Sequence, residues 1–346
     1  MLMSKAKGYS KNTWVVSNPR ILWRILRGFI RAVLFRKNTL RAIEIYPTME
    51  CNLSCSMCSV EKFKKNRGVP LTLDEYKKIA EEGIRLGALS ATILGGEPLL
   101  VTNLEDIISI FDKKQYYTHI VTNSMLISEP RLRSLKKAGL RGICFSLDSM
   151  DKKKNDRIRG IDGHFEKVFE SLRLARKMGF EVNMAPVFFP NKVQNGIDVV
   201  KFCQSEKIGA SGTQVAPVGR WENGPVLSAE ENTHIRSLLK EYPRLTFDWS
   251  LSYFLRMRCP AGKEKIAISN YGDVFGCAIN PISFGNIRRE SLKKILKRMQ
   301  KLPEIKRDSP VCVAAEDRNY IEKYLHPLSR FDQYPVDYKN HPSINI

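Results

Sequence analysis

The chain is expected to be an α/β protein built on parallel strands. Three observations carry that expectation: β-rich runs recurring through its middle, an amphipathic helical stretch between successive runs, and a change of texture near Gly219. The β-rich runs are AIEIYP (42–47), ATILGG (91–96), THIVTN (118–123), GICFSLD (142–148), EVNMAPVF (181–188) and GTQVAPV (212–218). Between them, Thr72–Leu86, Leu104–Lys114, Glu129–Ala138, His164–Met178 and Gly196–Lys207 show helical spacing of apolar residues. Thr72 with Glu75 reads as a capping box at the start of the first of these. A strand–helix–strand repeat lays its strands parallel and covers them with helices. Six such units could form an open doubly wound sheet or an incomplete barrel, and in both the functional edge lies at the C-terminal ends of the strands. Beyond Gly219 the chain is interrupted by prolines, with one hairpin-like stretch, KIAISNYGDVFGCA, turning at Tyr271-Gly272-Asp273. The expected organisation is a basic extension (1–41), a barrel or sheet (42–220) and a smaller module (221–346).

Composition bounds the function. The 346 residues are 43% hydrophobic and 27% charged, the balance of a folded protein. No run approaches the roughly 18 uncharged apolar residues of a membrane-spanning helix. Eight cysteines are too sparse for a disulfide scaffold, so their spacing carries the information. The formal charge is +21, and residues 1–41 hold ten Lys and Arg, among them Lys5, Lys7 and Lys11, with no acid.

The first strand runs into TMECNLSCSMCSV, which puts Cys51, Cys55 and Cys58 on a loop at a strand's C-terminal end. Clustered thiolates in a reduced compartment point to a soft metal or an iron–sulfur cluster. A zinc site needs a fourth ligand, and the nearest histidine, His119, is far away in sequence. Three cysteines without a fourth leave one iron of a cubane open to another ligand, which is a catalytic arrangement.

This C-x-x-x-C-x-x-C loop after the first strand resembles that of the radical S-adenosylmethionine (radical SAM) superfamily, and further stretches agree in order. Gly95-Gly96-Glu97-Pro98 is similar to the family's GGEP motif, which contacts the amino group of SAM. Thr122-Asn123 resembles its TN(G) turn, with Ser124 in place of glycine. Ser146-Leu147-Asp148-Ser149 followed by Arg159-Gly160 resembles the segment whose Ser and Arg approach the SAM carboxylate. Met57 stands where an aromatic residue is usual, and an adaptable apolar side chain can do the same packing. The resemblance covers residues 42–220 and implies a partial (β/α)6 TIM-like barrel. It also implies a catalytic 4Fe–4S cluster held by Cys51, Cys55 and Cys58, and SAM held by Gly95, Gly96, Glu97, Ser146 and Arg159. An external flavodoxin- or ferredoxin-like reductant would supply the electron. Cleavage of SAM would then give a 5′-deoxyadenosyl radical that takes hydrogen from a substrate.

Cys259 and Cys277 enclose Gly272 in a C-x12-G-x4-C spacing. With FGNI (284–287) and the helix-like ESLKKILKRM (290–299), this resembles the SPASM or twitch modules that carry an auxiliary cluster. Cys312 would be the third ligand of an auxiliary 4Fe–4S cluster, with Glu316, Asp317, solvent or substrate as the fourth. Cys144 and Cys203 lie within a strand and a helix and read as packing residues.

Residues 18–36, NPRILWRILRGFIRAVLFR, start with an N-cap and a proline suited to the first helical turn. Arg20, Arg24, Arg27 and Arg31 form one stripe on a helix that is otherwise greasy. Such a helix either lies in a membrane interface, with Trp23 and Phe29 as anchors, or packs on the barrel and shows only its arginines to solvent. The expected location is therefore the cytoplasm, with peripheral contact at the inner face of the membrane as one of these readings. The apolar character argues against a nucleic-acid arm. The favoured substrate is a small metabolite, a sugar or a lipid-linked compound. A peptide-modifying maturase is the alternative, set lower because residues 1–41 are short and helical for a leader-recognition domain. The rival of another class is a non-catalytic iron–sulfur or zinc protein that binds nucleic acid.

Overall fold

The computed structural model describes residues 18–66 and 68–346, so Lys5, Lys7 and Lys11 lie outside the described residues. The first strand, β1 (Ala42–Thr48), lies inside one sheet. Beside it run β2 (Ser90–Gly95), β3 (Tyr117–Thr122), β4 (Gly142–Phe145), β5 (Glu181–Met184), β7 (Gly209–Ser211) and β9 (Leu245–Thr246), all parallel. A separate ribbon pairs β6 (Val187–Phe188) with β8 (Thr213–Gln214). On the other side of β1, β10 (Lys265–Ile268) also pairs parallel, with Ala42 opposite Lys265 and Ile45 opposite Ile268. β11 (Asp273–Cys277), β12 (Asn280–Asn286) and β13 (Val336–Asp337) complete an eleven-stranded sheet whose end strands are β9 and β13.

The expected repeat is present, with two differences. The fifth run breaks at Ala185-Pro186, where proline has no N–H to give a ladder. The sixth run, 212–218, holds only the short β8 of the separate ribbon, and the strand that continues the main sheet, β7, lies just before it. The smaller module is not a separate layer. It adds β10–β13 to the sheet edge beside β1, turning at Tyr271-Gly272-Asp273 as its sequence predicts.

Helices alternate with the strands: α1 (Pro19–Val33), α2 (Leu73–Leu86), α3 (Leu104–Lys113), α4 (Glu129–Lys137), α5 (Lys152–Arg159), α6 (His164–Lys177), α7 (Val193–Ser205), α8 (Ala229–Glu241) and α9 (Leu292–Met299). The capping box of α2 forms, Thr72 and Glu75 each accepting the other's backbone N–H. Strand residues alternate between two environments. Ile43, Ala91, Ile93, Ile120, Ile143 and Phe145 are buried in the main core. Glu44, Thr92, Leu94, His119, Val121, Cys144, Asn183 and Ser211 line one central cavity of about 250 Å³. Residues from β1 through β7 share that lumen, so the sheet curls into a partial barrel.

α1 corrects one expectation. It packs on the barrel through Ile21, Gly28 and Ala32, but it does not show only arginines to solvent. Leu22, Trp23, Leu26 and Val33 are exposed, while Arg24 turns inward to the carbonyls of Ala88 and Gln115.

Candidate active site

The cysteine loop is fixed by what lies beneath it. Gly96 N–H donates to Thr48 O at 3.0 Å and Glu97 N–H to Glu50 O at 2.8 Å, so the end of β2 is stitched to the segment leaving β1. A Cβ at Gly95 would stand 2.4 Å from Thr48 O, and one at Gly96 would stand 2.0 Å from Glu50 O. The glycine pair is therefore demanded by close approach, with Gly95 also at φ +124°.

Glu97 is almost fully buried and works as a hub. Its Oε1 accepts from Thr122 Oγ1 at 2.8 Å and Leu99 N at 3.0 Å, and its Oε2 accepts from Asn123 N at 2.8 Å. Burial pushes its carboxyl above the ordinary value, against those three donors. With three acceptor positions filled, Oε2 retains capacity for one further donor. Asn123 carries the connection onward, its Nδ2 lying 2.7 Å from Asn52 Oδ1 and 3.7 Å from Cys51 Sγ.

Arg159 closes the other side. It ends α5, pairs with Asp148 at 2.7 Å and also reaches the Cys55 thiol. Asp148 is held in turn by Val187 N–H at 2.9 Å, and Ser56 N–H donates to Ile158 O at 2.9 Å. Ser146 lies buried at the end of β4. The far end of the cysteine loop is tied down where Arg220 N–H meets Cys58 O at 3.0 Å. Cys51, Cys55 and Cys58 are all reduced and partly accessible, and Leu53 N–H donates to Cys51 Sγ at 3.4 Å. Burial raises the Cys51 thiol and pushes Cys58 up to about 11.

The second cysteine group faces the lumen. Cys259, Cys277 and Cys312 line the same cavity, and burial followed by mutual repulsion raises Cys312 well above the ordinary thiol value. Of the expected fourth ligands, Glu316 is held by Arg236 at 2.5 Å and approached by Gln214 at 3.5 Å. Asp317 caps the turn at Tyr320 and pairs with Arg307. Cys144 is buried on the lumen wall and Cys203 is buried in α7, and burial pushes both thiols up to about 12.

The lumen also holds charges that the sequence reading did not single out. Lys265 Nζ donates to Glu44 Oε1 at 2.9 Å and pairs with Asp248. Ala278 N–H donates to the other oxygen of Glu44 at 3.1 Å. Burial works against the charge on Lys265, and the carboxylates, Asp248 first, more than restore it. The Asp248 side chain is 64% exposed and borders the cavity. Burial pushes His119 down to about 4, which keeps it neutral, with Nε2 3.1 Å from Thr92 Oγ1. The only sequence signal was a glutamate inside the apolar run of β1 and a lysine at the head of another.

The donor sets fit iron–sulfur groups. Each holds three thiols, and the first sits beside a carboxylate hub and an arginine that can meet the two charged ends of an amino acid. Among the described residues no three His, Cys, Asp or Glu side chains close round a single ion. A cubane does not ask for that, since each cysteine binds a different iron. Bound there, such a cluster supplies one-electron chemistry, and the chain supplies orientation and exclusion of water.

Comparison with known proteins agrees. The family description "Radical SAM superfamily" matches residues 45–203, and "Iron-sulfur cluster-binding domain" (SPASM) matches residues 259–316. A PqqA peptide cyclase of Granulibacter bethesdensis is 29% identical over 268 residues, covering 72% of this chain and 71% of that protein. A GTP 3′,8-cyclase of Aquifex aeolicus is 30% identical over 212 residues, covering 58% and 65%. Among solved structures, Streptococcus suis SuiB bound to its precursor peptide SuiA superposes with a TM-score of 0.61 at 19% identity, over 84% of this chain and 72% of that one, a likeness of fold. The chain thus carries a radical SAM domain over residues 45–203 and an iron–sulfur cluster-binding domain over residues 259–316, the pair of a radical SAM enzyme that uses a 4Fe–4S cluster and S-adenosylmethionine.

Proposed function

We propose that this enzyme abstracts hydrogen from a peptide side chain inserted into the barrel lumen. In this reading Cys51, Cys55 and Cys58 hold the catalytic cluster, and Gly95, Gly96, Glu97, Ser146 and Arg159 hold SAM across the barrel mouth. Cys259, Cys277 and Cys312 hold the auxiliary cluster. Residues 42–220 form the catalytic barrel and 221–346 the auxiliary-cluster module, which lends strands to the same sheet. The observation that carries the reading is the lumen cavity of about 250 Å³, apolar for the most part with a few charged groups on its wall. Its wall includes Leu94, Val121 and Cys144, one or two residues below the mouth motifs, together with all three auxiliary cysteines. A guest there would lie between the two cysteine groups, with Asp248 offering an accessible carboxylate to its donors. The volume suits one side chain rather than a folded partner, and the likeness to PqqA peptide cyclase favours a peptide as its bearer. A small metabolite is the second reading, favoured by the 30% identity to GTP 3′,8-cyclase. The reductant remains a flavodoxin- or ferredoxin-like protein, and the place of work the cytoplasm.

The test is anaerobic reconstitution with SAM and a strong reductant. The expected product is 5′-deoxyadenosine, absent when Cys51, Cys55 and Cys58 are all replaced by alanine. That triple variant is expected to retain about four irons in the auxiliary site. Equal product from both proteins would overturn the assignment of the first cluster, and an iron-free triple variant would overturn the second. Deuterium transfer from a labelled peptide, and not from labelled small metabolites, separates the two substrate readings.

A further inference from the structure

α1 carries apolar side chains on two opposite faces. The inner face holds Ile21, Gly28 and Ala32 against the barrel. At position 28 a Cβ would stand 2.5 Å from Tyr253 Cζ and force that ring to shift, and Phe29 meets the same ring edge-on at 5.2 Å. Arg24 hydrogen-bonds the carbonyls of Ala88 and Gln115, two residues before β2 and two before β3. The helix thus lies across the N-terminal ends of the strands, at the base of the barrel.

The outer face is covered by nothing among the described residues. Leu22 is 43% exposed, Trp23 61%, Leu26 51% and Val33 55%, and the patch runs on through Leu34 and Phe35. At 100° per residue Arg20, Arg27 and Arg31 fall along one flank of this stripe, and Arg36 and Lys37 follow. None of these five has an ion-pair partner among the described residues, and residues 1–41 contain no acid. Lys113 and Lys114 line a hollow beside Trp23.

We propose that this outer face docks on an anionic lipid bilayer, with the barrel base against the headgroups. Charge selects that occupant. Unpaired guanidinium groups beside a greasy stripe match phosphates above acyl chains. A second copy of the chain would bring two such rows of like charge together. Residues 1–17, with Lys5, Lys7 and Lys11 and no acid, would be repelled in the same way. The consequence is orientation. The cysteine loop, Glu97, Asn123 and Asp148 all follow the opposite ends of the strands. β1 has seven residues, so the mouth stands roughly 20 Å from the base. The active site therefore opens to the aqueous side, which speaks against a substrate whose reacting group lies within the bilayer.

Flotation of the full chain with vesicles tests this independently of the chemistry. The chain is expected to float with phosphatidylcholine mixed with phosphatidylglycerol and not with phosphatidylcholine alone, and to be released as salt is raised. Trp23→Ser with Leu26→Ser, and separately Arg20→Glu with Arg27→Glu, are each expected to weaken binding about tenfold or more, since these groups supply its apolar and charged parts. All four side chains are exposed, so an unchanged melting temperature verifies that each variant is folded. Failure of the full chain to float, or equal flotation by the variants, overturns the proposal. So does a vesicle-free dimer that Trp23→Ser with Leu26→Ser abolishes, which would give the face to a second copy.

Discussion

Ser124 holds its backbone at φ +72°, a conformation that side chains with a Cβ adopt at a cost of about 1 kcal/mol. It is fully buried, and its hydroxyl has no hydrogen-bond partner, while its N–H donates to Thr122 Oγ1 at 3.0 Å. Both penalties fall on the residue that departs from the family's glycine. Ser124→Gly is therefore expected to stabilise the protein by about 1 kcal/mol, after the extra freedom glycine gives the unfolded chain. Chemical denaturation of both proteins measures it, and a less stable variant would show that the hydroxyl is satisfied in solution. At this scale the sequence was legible where chemistry is local. The three thiols stand out by their spacing, and the glycine pair stands out because the close approach of the loop leaving β1 demands it. The partners of Glu97 were not legible, since Thr122 and Asn123 lie 25 and 26 residues away and meet it only through strand pairing.

Elements with strong periodicity or caps were readable, and those without were not. α5 went unseen because KKKNDRIR has no apolar stripe, and its ends are set by Asp151 capping and Gly160. α8 has a full capping box at Ser228 and Glu231, a signal that would have found it. The α2 cap reaches further than its own helix. Glu75, besides bonding Thr72 N–H, binds Arg288, which also donates to the carbonyls of Val69 and Pro70. That contact ties the N-terminus of α2 to the segment after β12. Hydrogen bonding to Arg288 lowers the Glu75 carboxyl to about 2. The pair lies at the surface, where solvent and salt screen it, so its contribution is discounted to about 1 kcal/mol. A depressed carboxyl stabilises above its unfolded value near 4.5 and loses that stabilisation as pH falls through about 2. Glu75→Gln is thus expected to cost about 1 kcal/mol at neutral pH, with the difference from wild type narrowing below about pH 4.5. Urea melts across that range check it, and a gap independent of pH would assign the loss to packing.

For the whole molecule, the barrel and the cluster-binding module are one sheet joined where β10 lies against β1. The sequence showed both parts but not the joint, because a parallel pairing between residues 42–45 and 265–268 leaves no local trace. Lys265 is the charge at that joint. It belongs to the module, it is 4% exposed, and it reaches Glu44 of the barrel and Asp248 beyond β9, so it bridges both flanks of the lumen. Removing one member of a buried ion network leaves the others uncompensated, at a cost of about 3–5 kcal/mol. Asp248 is 64% exposed on its side chain, so that carboxylate can be partly resolvated, whereas Glu44, at 8% exposed, cannot. Lys265→Met is therefore expected to lose about 3 kcal/mol, the lower end of that range. Adding Glu44→Gln to Lys265→Met should recover a substantial part, because it removes the stranded charge and keeps an acceptor for Ala278 N–H. Adding Asp248→Asn should recover little. Thermal melts of the cluster-loaded protein separate the two carboxylates, and equal recovery by both would mean that the lumen is dry enough to bury Asp248 as deeply as Glu44.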